Sequence, residues 1–341
     1  VKFLFRADAS PSQGTGHVMR SLTLAVELLE RNHEVAFVTG PVEIDWLRDT
    51  VRESGVSVSH CEYDSLSAEV VRDFGAERVV VDSYRISAQL ISNLDRYVPV
   101  LAIVDGDDRG IVASLYLDQN LGAENIDRPD LTGERFLAGS RYALVRRAVL
   151  QATRGEPWRI EANPPRVLCF LGGTDATGSV VEVVRAIAAL ERSLELTVVA
   201  APVHHPAIRA VVGDTTLLEL VPPTPDLPRL FAQTDIVVSA AGTSAWDICT
   251  LGLPAVLVGV VDNQSASLRE AVARGLVLGV DTTDPGSIGL AQVGVDVARL
   301  LDDETLREDL SARSRAEFDG RGASRVAERL ELDHIGALLE W

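Results

Sequence analysis

Apolar residues recur along this chain in two alternating rhythms. Lys2 to Phe5, Glu34 to Thr39, Arg78 to Asp82 and Val100 to Val104 are short runs rich in Val, Ile, Leu and Phe, the pattern of strands buried on both faces. Between such runs the period lengthens. Val18, Leu22, Ala25, Val26 and Leu29 fall at i, i+4, i+7, i+8 and i+11, one face of an amphipathic helix. Glu43 to Ser54 and Ser87 to Leu94 read as further amphipathic segments. This alternation predicts parallel βαβ units with helices on both faces of a sheet.

The plan restarts halfway. Gly155-Glu-Pro-Trp-Arg-Ile-Glu-Ala-Asn-Pro-Pro165 has the proline and polar content of a linker, and Arg166 to Leu171 opens a new buried strand. Leu196 to Ala200, Ile236 to Ser239, Ala255 to Val261 and Leu276 to Val280 continue the series, and Leu300 to Trp341 is charged and helical. The expected class is α/β, with two doubly wound Rossmann-like domains facing across a cleft. Residues 1–155 form the first domain and 166–320 the second, while a closing helix over 321–341 crosses back to the first. Ligands of such sheets bind beyond the carboxyl ends of the strands, so the cleft is the expected site.

Composition narrows the function classes. A length of 341 residues is too long for one ordinary core. A formal charge of −18, from 32 basic and 50 acidic residues, argues against long-range attraction to nucleic acid or an anionic membrane. Cys61, Cys169 and Cys249 lie far apart and read as small buried hydrophobes in a reducing compartment. No CxxC or His-rich spacing suggests a metal, and no apolar run approaches the ~20 residues of a membrane span. The start leads directly into a strand, without a signal peptide. A cytoplasmic enzyme is expected, with no cofactor and no nucleic-acid partner.

Candidate chemistry gathers where strands lead into helices. Arg6-Ala-Asp-Ala-Ser-Pro-Ser-Gln-Gly-Thr-Gly-His17-Val-Met-Arg20 follows the first strand. Gly14 and Gly16 permit positive φ and close backbone approach, and the helix start suits an anion. Gly172-Gly173-Thr174-Asp175 holds the same place in the second half; it suits a diphosphate, although tight strand-to-helix turns also use glycine for steric reasons. Ser239-Ala-Ala-Gly242-Thr243-Ser244-Ala-Trp-Asp247 brings small residues, hydroxyls and a carboxylate to one edge. Asp247 suits ribose hydroxyls or simply the positive helix end. Asn263 and Gln264 supply amides that can hold sugar hydroxyl or acetamido groups.

Other polar residues read as less specific. His33 and His60 sit at element ends, His204 and His205 in a proline-flanked loop, and His334 in the terminal helix. Asp105, Asp107 and Asp108 read first as a solvated turn and second as supplying one substrate-facing carboxylate. No GxSxG elbow occurs, and Ser10 and Ser12 have no identifiable base partner.

The motifs together resemble a known family. Phe-Arg-Ala-Asp-Ala-Ser, then Gly-Thr-Gly-His-Val-Met-Arg20-Ser-Leu-Thr-Leu-Ala, is similar to the opening of the nucleotide-sugar hydrolases of pseudaminic acid biosynthesis. Those enzymes act on UDP-2,4-diacetamido-2,4,6-trideoxy-β-L-altropyranose. The resemblance continues through Asp82-Ser-Tyr84-Arg-Ile-Ser, Asp118-Gln-Asn120, Tyr142-Ala-Leu-Val-Arg146, Gly172 to Asp175, Ser239 to Asp247 and Asn263-Gln264. It extends to spore-coat polysaccharide proteins and, in fold, to the bacterial GT-B transferase that makes lipid II.

What the resemblance implies is a GT-B fold, UDP held mainly by the second domain, and metal-independent inverting hydrolysis at the anomeric carbon. His17 would orient or deprotonate the water, with Asp8 and Arg20 completing the catalytic set. Gly14, Gly16, Tyr84, Asn120, Asn263 and Gln264 would contact the sugar. Gly172, Gly173, Thr174, Gly242, Thr243, Ser244 and Asp247 would hold the nucleotide. Two departures stand out: Asp247 occupies the place of the usual ribose-binding glutamate, and Ser83-Tyr84-Arg85 replaces the His-Tyr-Gly of some members. The rival functions are a glycosyltransferase using the same UDP-sugar site and a silent sugar-nucleotide binding protein. Lys2 is the only lysine, which argues against a transferase with a basic membrane-facing patch.

Overall fold

The computed structural model describes all residues except 11–12, 41, 63–64, 129–130, 132–134, 153–159, 161, 176, 285, 287–288 and 333–341. The chain divides into two compact units: Val1–Val145 with Gly320–Trp341, and Arg146–Asp319. The division at Arg146 precedes the proline-rich 155–165 stretch, of which 155–159 and 161 lie outside the described residues. His334 also lies outside them.

The first unit is built on seven parallel strands: β1 (Lys2–Ala7), β2 (Glu34–Thr39), β3 (Ser57–His60), β4 (Arg78–Asp82), β5 (Val100–Ile103), β6 (Leu115–Asp118) and β7 (Phe136–Ala138). Their order is β3-β2-β1-β4-β5-β6-β7, so the direction of winding reverses between β1 and β4. Ala7 lies level with Asp82 in that pairing. Helices α1 (Gly16–Glu30), α2 (Asp45–Glu53), α3 (Ala68–Phe74) and α4 (Ala88–Asp95) make the crossovers. Helix α1 buries Val18, Leu22 and Ala25 of the predicted stripe, while Val26 and Leu29 are half-buried and Leu24 and Leu28 turn inward beside them. Ser87 caps α4 by accepting from the Leu90 N–H.

The second unit repeats the winding with β8 (Arg166–Phe170), β9 (Leu194–Val199), β10 (Thr216–Val221), β11 (Ile236–Ala240), β12 (Ala255–Gly259) and β13 (Leu278–Asp281). The order β10-β9-β8-β11-β12-β13 places the reversal between β8 and β11. Its helices are α5 (Arg147–Gln151), α6 (Val180–Ala188), α7 (His205–Val211), α8 (Leu227–Ala232), α9 (Ser244–Leu251), α10 (Asp262–Ala273), α11 (Ala291–Asp302) and α12 (Glu304–Glu317). The core forms where α6 and α11 cover the sheet: Val183, Val184, Ile187, Val293 and Val297 are wholly buried there.

The chain then returns to the first unit. Helix α13 (Gly322–Glu331) buries Ala323, Val326, Ala327 and Leu330 in the core beneath α1. Arg31 at the end of α1 donates to Glu331 (3.0 Å) and to the Ser324 hydroxyl (2.7 Å). Strands β3, β6, β7 and β10 are additions to the elements predicted from the apolar runs. The physical reasons differ. All four residues of β3 are exposed, β10 alternates half-buried and exposed positions along most of its length, and β6 and β7 are only four and three residues long.

Candidate functional site

In the first unit the carboxyl ends of β1, β4, β5 and β6 bring a charged cluster together. Ser10 starts the loop after β1, accepting from the Gly14 N–H at 2.8 Å, and Gly14 takes φ +82°, where a β-carbon is unfavourable. Gly16 instead begins α1, so His17 and Arg20 lie three residues apart on one helical face. That face meets Asp82, the last residue of β4. Arg20 Nε–H donates to Asp82 Oδ2 at 2.6 Å and Nη2–H to Oδ1 at 2.7 Å. Arg20 also donates to Asp105, just beyond β5, from Nη1 to Oδ1 at 2.7 Å and from Nη2 to Oδ2 at 2.9 Å.

This arrangement fixes the proton on His17. Its Nδ1 lies 2.6 Å from Asp82 Oδ1 and 3.2 Å from Arg20 Nη2. Both Nη2 hydrogens are used by the two carboxylates, and an ionised carboxylate can only accept. Nδ1 therefore carries the hydrogen and donates it to Asp82. In the neutral ring Nε2 is then the acceptor, and it makes no hydrogen bond among the described residues. The Ser21 hydroxyl, at 3.2 Å, completes the set of donors on Asp82.

The electrostatics keep both carboxylates ionised. Asp82 and Arg20 are 1% and 5% exposed. Burial by itself would raise the Asp82 carboxyl, but Arg20 and His17 hold it below the usual carboxylate range. Asp105 is held well below that range by the same contest, with Arg20 opposing burial and Tyr84 adding a hydrogen bond. With His17 neutral, two carboxylates and one guanidinium leave a net charge of −1.

The remaining first-unit candidates fall around this cluster. The Tyr84 hydroxyl donates to Asp105 Oδ2 at 2.5 Å, and its ring meets the His17 imidazole edge-on at 4.8 Å. Tyr84 is 40% exposed. Asn120 Nδ2 donates to Asp105 Oδ1 at 2.8 Å, which fixes the amide's orientation because the carboxylate accepts only. Asp118, ending β6, accepts from the Gly106 and Asn120 backbone N–H groups. Asp8 sits apart. It is fully buried, ion-paired to Arg6, and accepts from the Gly40 N–H and the Ser83 hydroxyl at 3.0 Å each. Its contacts pin the ends of β1, β2 and β4 together rather than touching His17.

The second unit presents backbone donors at the corresponding reversal. Gly172 takes φ +82°, with open space where a β-carbon would stand. Among the described residues, the N–H groups of Gly172, Gly173 and Thr174 make no hydrogen bond, nor do those of Gly242, Thr243 and Ser244. The start of α6 is differently disposed. The Asp175 carboxylate accepts from the Ser179 and Val180 N–H groups at 3.0 and 3.2 Å, so those donors are already taken. Gln264 anchors its Oε1 on the Val260 N–H (3.0 Å), and its Nε2 lies 3.5 Å from where a Gly242 β-carbon would be. Asn263 is exposed on the first turn of α10.

Asp247 forms an ion pair within the second unit. It is buried in α9, and its Oδ2 accepts from Arg146 Nη2 at 2.7 Å and Nε at 3.1 Å. Burial pushes its carboxyl above the usual range, with Arg146 pulling the other way.

Sequence reasoning left three contributors without these roles: Asp82 as the partner of His17, Asp105 as the second carboxylate on Arg20, and Arg146 as the partner of Asp247. Asp105 corrects the solvated-turn reading, which suits Asp107 better: that exposed carboxylate caps the Arg109 N–H. Asp108 pairs with Arg128. The one available signal was positional, since Asp82 and Asp105 stand at or just past the ends of strands. His33 and His205 make structural contacts, although His205, expected in a loop, opens α7, and Cys61, expected buried, is half-buried. His33 pairs with Glu331 at 2.9 Å, and His205 meets the Ala200 carbonyl at 3.0 Å. Burial pushes the Cys169 and Cys249 thiols up to about 12, unsuited to nucleophilic work. Among the described residues no His, Cys, Asp and Glu side chains group as metal ligands, and no helix is long and apolar enough to cross a membrane.

Comparison with known proteins adds three findings. No family model matches the chain. The spore coat polysaccharide biosynthesis protein SpsG of Bacillus subtilis is 22% identical over 334 residues, covering 95% of this chain and 96% of that protein. Among solved structures, MurG of Acinetobacter baumannii superposes with a TM-score of 0.65 at 14% identity, covering 96% of this chain and 99% of that one. A UDP-GlcNAc 2-epimerase from Neisseria meningitidis, bound to UDP-GlcNAc, gives 0.67 at 12% identity, covering 97% and 99%. At such identities the structural likeness is one of fold. Taken with the two parallel sheets and their matching reversals, it shows that the chain has the GT-B architecture of two Rossmann-like units.

Proposed function

We propose that this chain is a UDP-sugar hydrolase acting at the anomeric C–O bond of an amino or diacetamido sugar. The observation that carries the reading is the His17–Asp82 pair, which leaves Nε2 as the acceptor. Near-complete coverage by the spore coat polysaccharide relative supports sugar chemistry. The UDP-GlcNAc-bound epimerase, a fold neighbour of this chain, supports UDP as the nucleotide.

In the proposed reaction His17 Nε2 accepts a proton from water as the water oxygen attacks the anomeric carbon. The C–O bond breaks with its electron pair passing to the diphosphate, so UDP leaves and the sugar is released with inversion. General-base assistance of this kind is worth ~10² to 10⁴-fold. The net charge of −1 beside the ring stabilises the imidazolium as it forms. Asp82 fixes the tautomer and Arg20 holds Asp82 ionised, as the orienting carboxylate does in hydrolytic triads. The N–H groups of Gly172 to Thr174 and Gly242 to Ser244, unpaired among the described residues, suit the departing diphosphate. Tyr84 and Asn120 contact the sugar, Asn263 and Gln264 supply further amides, and no metal takes part.

The test is nucleotide release from a panel of UDP-, CMP- and GDP-sugars without acceptor, with His17→Ala and His17→Asn alongside. The expected result is UDP release that survives chelation and is lost in both variants. Oxygen from labelled water should appear in the sugar and not in the phosphate. Release only on addition of an acceptor would make the protein a transferase. Tight UDP binding without turnover of any sugar nucleotide would make it a binding protein.

A further inference from the structure

We infer that Asp105 is a positioning residue for His17, acting through Arg20: it shares the guanidinium with Asp82 and so preserves one net negative charge beside the imidazole. The inference rests on the base role proposed above. Arg20 is 5% exposed and its hydrogens are divided between two carboxylates. Were Asp82 its sole partner, the two charges would cancel and His17 would face a neutral pair. With Asp105 present the guanidinium is over-matched, and the surplus charge lies where an imidazolium would develop. Asp105 is itself 9% exposed and saturated with donors, taking two from Arg20, one from Tyr84 and one from Asn120. Arg20 and Tyr84 thereby hold the carboxylate ionised.

The charged and titratable groups around His17 are Asp82 from β4, Arg20 from its own helix, Tyr84 from the loop after β4, and Asp105 from the loop after β5. The Arg109 guanidinium lies over the Tyr84 ring, 5.2 Å from its centroid. Of these, Asp105 can change the charge near His17 without touching the imidazole. The arrangement also links Tyr84 and Asn120, the proposed sugar contacts, to the base through one carboxylate.

The experiment compares wild type with Asp105→Asn and Asp105→Glu, reading the His17 ring-proton titration by NMR in the resting protein and the pH profile of UDP release. Asp105→Asn should move the His17 midpoint and the acid limb of kcat/KM about one pH unit lower, with kcat down roughly tenfold. Asp105→Glu, which keeps the charge, should return both toward wild type. A merely structural role predicts lower stability or kcat with an unmoved midpoint and no rescue by Glu; that result overturns the inference. If Asp105→Asn fails to fold, Asp105→Glu against Asp105→Ser supplies the same charged-against-neutral contrast. The NMR arm needs no substrate. A panel without turnover therefore defeats the hydrolase reading while leaving the midpoint shift to decide this one.

Discussion

Replacing Asp82 by Asn is the sharpest test of the proposed base. The amide keeps the carboxylate's shape but has only one acceptor oxygen, whereas Asp82 receives His17 Nδ1, both Arg20 contacts and Ser21. Arg20 donates only, so it claims that oxygen. The new NH₂ group then faces positions that demand an acceptor, and His17 is pushed toward the tautomer with its hydrogen on Nε2. The charge is lost as well. Two unit charges ~4 Å apart interact by ~4 kcal/mol at an effective dielectric constant of ~20, and at 1.36 kcal/mol per decade this is ~10³-fold in rate. The expected outcome for Asp82→Asn is a kcat lower by ~10³-fold or more with KM little changed, because the effect falls on charge that develops in the transition state. Steady-state UDP release measures it, with far-ultraviolet circular dichroism to verify the fold. A variant that folds and keeps more than a tenth of kcat refutes the reasoning.

Three further outcomes follow from the packing. Arg146→Met leaves the buried Asp247 carboxyl without its cationic partner and should cost up to about 3–5 kcal/mol of folding stability; because the folded-state carboxyl, already above its usual range, then rises further, the loss should grow with pH, as urea melts at about pH 5 and about pH 8 would reveal. Asp82 and Asp105 are depressed in the fold, so their contribution is complete above the ordinary carboxylate value and is lost as pH falls from there through their native values. The stability gap between wild type and Asp105→Asn should shrink on acidification, and a gap that widens contradicts this. Gly322→Ala would put its β-carbon 2.1 Å from the Ala143 carbonyl oxygen and 2.6 Å from the Ala143 nitrogen; displacing α13 by overpacking should cost ~1–3 kcal/mol, seen as a lower Tm and refuted by an unchanged one.

The fold was largely legible because its determinants are local. Unbroken runs such as Arg78 to Asp82 and Ile236 to Ala240 are buried at almost every position, and burial on both faces is what an unbroken apolar run encodes. Edge strands escape that rule. β3 is exposed throughout, so Ser57 to His60 carries no run to detect. The glycine and histidine parts of the site were legible for a similar reason: Gly14, His17 and Arg20 lie within one loop and one helical turn. Asp82 and Asp105 were not, since they reach Arg20 across 62 and 85 residues of chain. That encounter depends on β1 lying beside β4 and β4 beside β5, and nothing in the local pattern around Asp105 distinguishes it from its exposed neighbour Asp107. The same limit hid Arg146 from Asp247, 101 residues apart.

The two units share one winding and yet offer opposite chemistry at their reversals, and the difference lies in the helix that follows the first strand. Helix α1 starts with His17 and Arg20 on the face toward β4, and it meets the Asp82 carboxylate there. Helix α6 starts Val180-Val-Glu-Val183; the one charged side chain of that turn, Glu182, is exposed and pairs with Arg185, and the Asp175 carboxylate folds back on the helix's own N–H groups. Backbone donors are therefore left as the main polar surface at the second reversal, which suits an anion. At the first reversal a carboxylate-flanked imidazole would repel a diphosphate but suits a base that gains positive charge. On the proposed function, this contrast supports proton transfer in the first unit and leaving-group stabilisation in the second. Moving a carboxylate into the second reversal, as in Thr174→Asp, should accordingly weaken UDP binding while leaving the His17 titration unchanged.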